Sequence, residues 1–197
     1  MDLLKVSATA FNKLLNVKYR CIIGRKGKTR EFTLIFSPYE FHHLCGLVKL
    51  SDIPTLRGNR ERVFKDILSN KITYDMVSRS SDFYQISDRL IYLSKLEDFM
   101  DSNTIIFNYD IRNSKSSRIE ARYLLQNNID NEVAYFFIGN HTGGEILIGI
   151  SFFLKELVDY TVAQQKWTLL YKEKIYADTG MTVVQYNKLS NKNERFE

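Results

Sequence analysis

Three histidines, His42, His43 and His141, are the only side chains of their kind in a chain of 197 residues. They set the chemistry the sequence can be asked about. No Walker loop, GxGxxG, GxSxG or HExxH pattern occurs, and Asp and Glu are scattered without metal-ligand spacing. The two cysteines, Cys21 and Cys45, form no CxxC pair and no zinc pattern, so both read as reduced core residues and no metal site is expected. What remains is chemistry that needs only a base, an acid and a cation. Phosphodiester cleavage of RNA is such a reaction: the 2′-hydroxyl attacks the neighbouring phosphorus, a base takes its proton and an acid protonates the leaving 5′-oxygen. Imidazole suits either proton role, because its ordinary pKa lies near ~6.5.

His42 and His43 fall on a segment that reads as a helix. Ser37 can cap it, Pro38 suits its first turn, and Glu40 stands three residues on, as in a capping box. Neighbouring helix positions are about 100° apart, so with Leu44 and Leu47 turned to the core at most one of the pair faces a cleft. His43 is the candidate, against the plain alternative of a packed core histidine. His141 reads as a surface residue in a turn. Gly46 is expected inside this helix, where it lets another element come close.

The surrounding elements follow from periodicity. A first amphipathic helix carries Leu3, Leu4, Phe11, Leu14 and Leu15 and ends near Asn16. Val17 to Arg25 and Glu31 to Phe36 flank a basic Gly-containing turn, which predicts a β-hairpin with Arg25, Lys26, Lys28 and Arg30 at its tip. Gly58 to Asn70, Thr73 to Ser78 and Asp82 to Met100 read as helices. The second half changes period: Thr104 to Tyr109, Arg118 to Leu125, Val133 to Ile138, Glu145 to Phe153 and Trp167 to Tyr176 read as strands. The turns fall at Asn113-Ser114, Asn127-Asn128 and Asn140 to Gly144. This order predicts an α+β fold, with helices and an N-terminal hairpin packed on an antiparallel sheet of about four to five strands. It predicts a single domain over residues 1–186 and a polar tail over 187–197. On the last strand Thr168, Lys172 and Lys174 fall two or four apart and are expected to share one cationic face, suited to a polyanion or serving only to guard an edge. Tyr123, on a predicted strand, could donate a proton or stack a base.

Composition sets outer limits. With 44% hydrophobic residues and 26% charged, the chain can bury a core. A net charge of +5 permits an anionic partner without demanding one. The first residues lack an apolar signal segment and no run approaches the ~20 apolar residues of a membrane span. The expectation is a cytoplasmic protein with no membrane contact.

The run Phe41 to Asp52, FHHLCGLVKLSD, resembles an F-x-H-L-x-G-L-x-K-L-x-D segment of a phage-associated family. That family is the fourth phage group of the barnase–EndoU–colicin E5/D–RelE nuclease superfamily. NTIIFNY at 103–109, SRIEARYLL at 117–125 and WTLLYKEK at 167–174 are similar to later stretches of it. The resemblance implies helices on an antiparallel sheet of about four strands, metal-independent cleavage of RNA such as tRNA or mRNA, no cofactor, and a toxin or phage–host conflict role with an antitoxin or immunity protein as partner. Carried over by position, His43 becomes the base or acid, Lys49 a phosphate contact, and Ser151 and Thr168 hydroxyls for a phosphoryl oxygen. Tyr123 joins the catalytic set, with Arg118, Lys172 and Lys174 on RNA. The rival reading is a non-catalytic RNA- or protein-binding accessory protein of the same fold.

Overall fold

The structure is a computed structural model and describes residues 1–114, 117–140 and 143–189. His141, and the part of the expected tail after residue 189, lie outside the described residues. Helix α1 (Leu3–Leu14) starts at Asp2, whose carboxylate accepts from the Lys5 N–H at 2.8 Å and, from its other oxygen, from the Tyr74 N–H at 2.9 Å. One side chain thus caps both α1 and the short helix α4 (Tyr74–Val77). Helix α2 (Pro38–Leu44) opens as the sequence predicts: the Glu40 carboxylate accepts from the Ser37 N–H at 2.6 Å and from its hydroxyl at 2.8 Å. It ends earlier than expected. Gly46 is not inside the helix but just beyond it, in the left-handed conformation with φ +84°. A Cβ there would stand 2.8 Å from Ile86 Cγ2, so the close approach falls at the helix end. Helix α3 is Arg60–Leu68. The single long helix expected over 82–100 is instead a 3-10 turn at Phe83–Gln85 followed by α5 (Ser87–Leu93) and α6 (Leu96–Asp101).

The sheet corrects the expected fold class. Strands β1 (Val17–Arg25), β2 (Lys28–Leu34), β3 (Ile105–Asn108), β4 (Tyr123–Ile129), β5 (Glu132–Gly139), β6 (Ile146–Leu154), β7 (Gln165–Tyr176) and β8 (Thr182–Asn187) form the order β1-β2-β6-β5-β4-β3-β7-β8. Because β1 also pairs with β7, the first seven strands close into a barrel and β8 is an extra strand on β7. The barrel is mixed: β2 and β6 run parallel, joined at Thr33↔Ile146 and Leu34↔Leu147. The antiparallel sheet of four to five strands with a separate N-terminal hairpin is therefore overturned. β1 and β2 do pair across a tight turn at Lys26-Gly27, but they are two staves of the barrel. The β4–β5 turn falls at Asp130-Asn131, both at positive φ, and not at Asn127-Asn128.

One apolar core joins the inward strand faces to the helices. Phe32 of β2 stacks on Tyr123 of β4 at 5.1 Å, and Phe99 of α6 packs edge-on to Phe152 at 5.4 Å. Phe41 of α2 meets Phe64 of α3 at 4.9 Å, and the Ser7 hydroxyl donates to the Leu90 carbonyl, tying α1 to α5. A second cluster, with Phe107, Leu124, Tyr135 and Phe137, lies on the opposite face of β3–β5 under the 155–164 segment, which contributes Tyr160. Cys21 and Cys45 are buried free thiols, and burial pushes both up to about 12.

Candidate active site

The two histidines of α2 part company. His42 is buried, and its Nε2 lies 3.0 Å from the Leu56 carbonyl, which makes that nitrogen a hydrogen-bond donor. His43, the next residue, is exposed at the end of the helix. It borders a cavity of about 430 Å³ together with Lys49, Arg89, Ser151, Glu156 and Tyr160. The elements that bring these residues together are the end of α2, the turn after Gly46, the outer side of α5, strand β6 and the segment following it.

Strand β6 presents Ser151 here through a bulge. Phe137 pairs with Ser151 and Ile138 with Gly149, so Ile150 is the extra residue and the alternation of faces slips by one. Gly149, on the inward face with Leu147, lies in the core, where a Cβ would meet Leu44 and Phe136 at 3.0 Å, while the extra residue turns Ser151 outward. Ile150 and Ser151 both line the outer cleft. The segment after β6 is held by Asp159, which accepts from the Lys155 ammonium at 2.6 Å, the Thr161 hydroxyl at 2.6 Å and the Tyr135 hydroxyl at 3.1 Å.

The cavity is lined by two cations, Lys49 and Arg89, and one carboxylate, Glu156. Arg89 lies half-buried with its guanidinium 5.3 Å from the centre of the Phe153 ring. Among the described residues no carboxylate comes within ion-pair distance of it; Glu156 acts on it only from further away, and burial holds its pKa below the usual arginine range. Lys49, Arg60 and Arg118 likewise form no ion pair among the described residues. Removing water from a cation without supplying a carboxylate costs free energy, so such an arrangement suits an incoming anion. For Lys49, burial and then Arg89 lower the ammonium pKa, with Glu156 opposing. For His43, the cleft walls take water from the ring, and Arg60 and Arg89 add repulsion; all three push its pKa down. These contributions favour the neutral imidazole. The Tyr160 phenol is pushed up by burial, then by Tyr109 and Glu156, against Arg89. It stays protonated.

Of the residues singled out in the sequence, His43, Lys49, Ser151 and Arg118 meet at this cleft, Arg118 in an adjoining cavity that also contains His43 and Ser151. The others do not. Tyr123 is fully buried in the barrel against Phe32. Thr168 is exposed on β7 beside Gly24 of β1. Lys172 and Lys174 do not share its face, because a bulge on β7 at Leu170 breaks the alternation: Ile22 pairs with Tyr171 but Ile23 with Leu169. Both lysines turn inward to α6. Lys172 Nζ donates to the carbonyls of Met100, Asp101 and Ser102 at 2.7, 3.2 and 2.6 Å. Lys174 pairs with Glu97 and Asp101, each at 2.8 Å. The helix end and its carboxylates, not a free polyanion, occupy these cations. Arg89, Arg60, Glu156 and Tyr160 were not visible as site residues in the sequence. The one available signal was Arg89 between Asp88 and Leu90 on a helix whose apolar positions face inward, which leaves its direction undecided.

Among the described residues no group of three or more His, Cys, Asp or Glu is gathered to hold a metal ion, and no helix is long and apolar enough to cross a membrane. A protein-family model described as phage-Barnase-EndoU-ColicinE5/D-RelE like nuclease4 matches residues 3–189, in agreement with the resemblance carried by FHHLCGLVKLSD. No curated protein and no solved structure matches the chain.

Proposed function

The chain belongs to this phage-related nuclease family, and from that premise we propose that it is a metal-independent endoribonuclease whose reaction centre is the His43 cleft. The observation that carries the reading is that His43 and Arg89, a half-buried guanidinium with no ion pair among the described residues, border one cavity.

In this reading a phosphodiester enters with its non-bridging oxygens toward Arg89 and Lys49, and Ser151 donates a hydrogen bond to one of them. Neutral His43 takes the proton of the 2′-hydroxyl as the 2′-oxygen bonds to phosphorus. The bond from phosphorus to the 5′-oxygen breaks, and the Tyr160 phenol protonates that oxygen. The products are a 2′,3′-cyclic phosphate and a 5′-hydroxyl end; water returns the protons. A positioned base or acid contributes roughly 10² to 10⁴-fold, and fixed cations at the phosphoryl oxygens add an electrostatic contribution. The depressed pKa of His43 favours the base role, because a base must be unprotonated. We place the activity in phage–host conflict, with toxicity to the expressing cell as its outward sign.

The test is incubation of the purified protein with single-stranded RNA in EDTA. A cyclic phosphate end is the expected product, and His43→Ala is expected to abolish it while leaving the fold intact, since the ring lies on an exposed helix face. Undiminished cleavage by folded His43→Ala overturns the assignment of the base. Loss of cleavage in EDTA, restored by a divalent ion, overturns metal independence.

A further inference from the structure

Three cavities follow one another across His43. The central one shares His43, Ile119 and Ser151 with a cavity of about 370 Å³ on one side. It shares Lys49, Arg89, Phe153 and Glu156 with a cavity of about 570 Å³ on the other. The two end cavities have no lining residue in common, so the histidine stands in the middle of a trough and not at the bottom of a closed pocket.

Each end carries an exposed tyrosine. Tyr84 is 75% exposed and Tyr39 is 50% exposed. Neither is a loose surface residue. Tyr84 sits on the 3-10 turn, whose neighbours are fixed: Ile86 is fully buried, Phe83 packs edge-on to Tyr74 at 5.3 Å, and Gln85 donates to Asp82 at 2.8 Å. Tyr39 is in the first turn of α2, and the Arg60 guanidinium lies 4.6 Å from its ring centre. Cations accompany both rings, Lys49 and Arg89 at the Tyr84 end beside Asp88 and Glu156, Arg60 and Arg118 at the Tyr39 end beside Glu40 and Glu120. Alternating aromatic platforms and backbone-neutralising cations along a groove are the means by which proteins hold unpaired nucleotides, because every base offers a π-face.

Resting on the ribonuclease reading above, we propose that the trough binds single-stranded RNA, with an unstacked base against Tyr84 on one side of His43 and another against Tyr39 on the other. A duplex cannot present those faces, since its bases are already paired and stacked. Discrimination between RNAs then lies in how readily two bases near the scissile phosphate unstack.

The experiment uses a fluorescent 2′-O-methyl hexanucleotide, which lacks the nucleophile and stays intact, and measures binding to the full chain by anisotropy. Tyr84→Leu and Tyr39→Leu are each expected to weaken binding about tenfold. A blunt duplex of the same length is expected to bind at least about tenfold more weakly than the single strand. Both rings are exposed, so the variants should keep their thermal unfolding midpoint, which is checked alongside. Equal affinity for duplex and single strand overturns the proposal, and so does wild-type affinity in both tyrosine variants. The assay has no chemical step, so its failure is distinct from failure of the catalytic reading. Cleavage with unchanged KM in both tyrosine variants overturns the stacking track and leaves His43 as the base; intact stacking in a protein that never cleaves does the reverse.

Discussion

Replacing Arg89 by Met removes a cation while keeping an unbranched stem over Phe153 and beside Gly46, and it should move three observables in directions that no purely structural role reproduces. Stability should rise. The guanidinium is half-buried and has no carboxylate at ion-pair distance among the described residues, so the more distant Glu156 and the Phe153 ring offset only part of its desolvation in the free protein. Relief of about 1 kcal/mol corresponds to roughly 2–4 °C in unfolding midpoint for a chain of this size. Activity should fall. Loss of one pre-positioned donor at a developing phosphorane costs about 10² to 10³-fold in kcat, or about 2.7–4 kcal/mol of transition-state stabilisation. The pH profile should shift as well. Arg89 is one of the groups that depress His43, so its removal raises the imidazole pKa. A base must be unprotonated, so the acid limb of kcat/KM, which climbs as pH passes through the His43 pKa, moves to higher pH. Differential scanning calorimetry, single-turnover cleavage and a pH series on one purified variant measure all three. A lower midpoint with unchanged cleavage would refute the reasoning, since Arg89 would then be a packing residue.

Lys172→Met should destabilise the fold by about 2–4 kcal/mol, because three carbonyls at the end of α6 lose a charged donor and only part of the loss is returned by not burying an ammonium. Thermal unfolding checks this, and a drop in RNA affinity without a drop in midpoint would restore Lys172 as an RNA contact. Gly46→Ala should cost about 1–3 kcal/mol, since φ is +84° and the added Cβ meets Ile86 at 2.8 Å and Arg89 Cδ at 3.2 Å. Because it presses on Arg89, cleavage by the folded fraction should also slow, whereas a neutral substitution on both counts would contradict the geometry. Burial alone would raise the Asp101 carboxyl, but hydrogen bonds from Lys174, Tyr19 and Gln185 outweigh it and hold the pKa below its ordinary value. A carboxyl depressed in the folded state stabilises fully above the unfolded pKa, near ~3.9, and that contribution is lost as pH falls through the lower folded value. Urea midpoints followed downward from pH 5 should therefore show a decline below about pH 4 that Asp101→Asn reduces, and an identical decline in the variant would rule Asp101 out as its source.

The sequence carried local structure well and global closure badly, and the reason is the range over which each is encoded. The capping box at Ser37 and Glu40 and the strand runs around β5 and β6 depend on neighbours a few residues away. Closure depends on β1 meeting β7, Val17 opposite Tyr176 and Gly24 opposite Thr168, and on a two-residue parallel contact between β2 and β6. Nothing within either strand records its distant partner. The break near Ser94 that divides the expected long helix into α5 and α6 is similarly tertiary. It lets Phe99 and Met100 turn inward, and the Lys172 ammonium meets the carbonyls at the end of α6.

For the site, the decisive events are two β-bulges with opposite consequences for the reading. Period-two alternation predicts a common face for Thr168, Lys172 and Lys174. The extra residue at Leu170 sends the lysines to α6 and leaves Thr168 outside, so a plausible cationic β-surface dissolves into structural ion pairs. On β6 the extra residue at Ile150 does the converse. Gly149, just before it, shares the inward face of Leu147 and lies against Leu44, which lets α2 pack closely, while the extra residue places Ser151 in the cleft beside the histidine at the end of that helix. Period-two alternation from Gly149 alone would turn Ser151 into the core, which is why the site could not be assembled from strand periodicity.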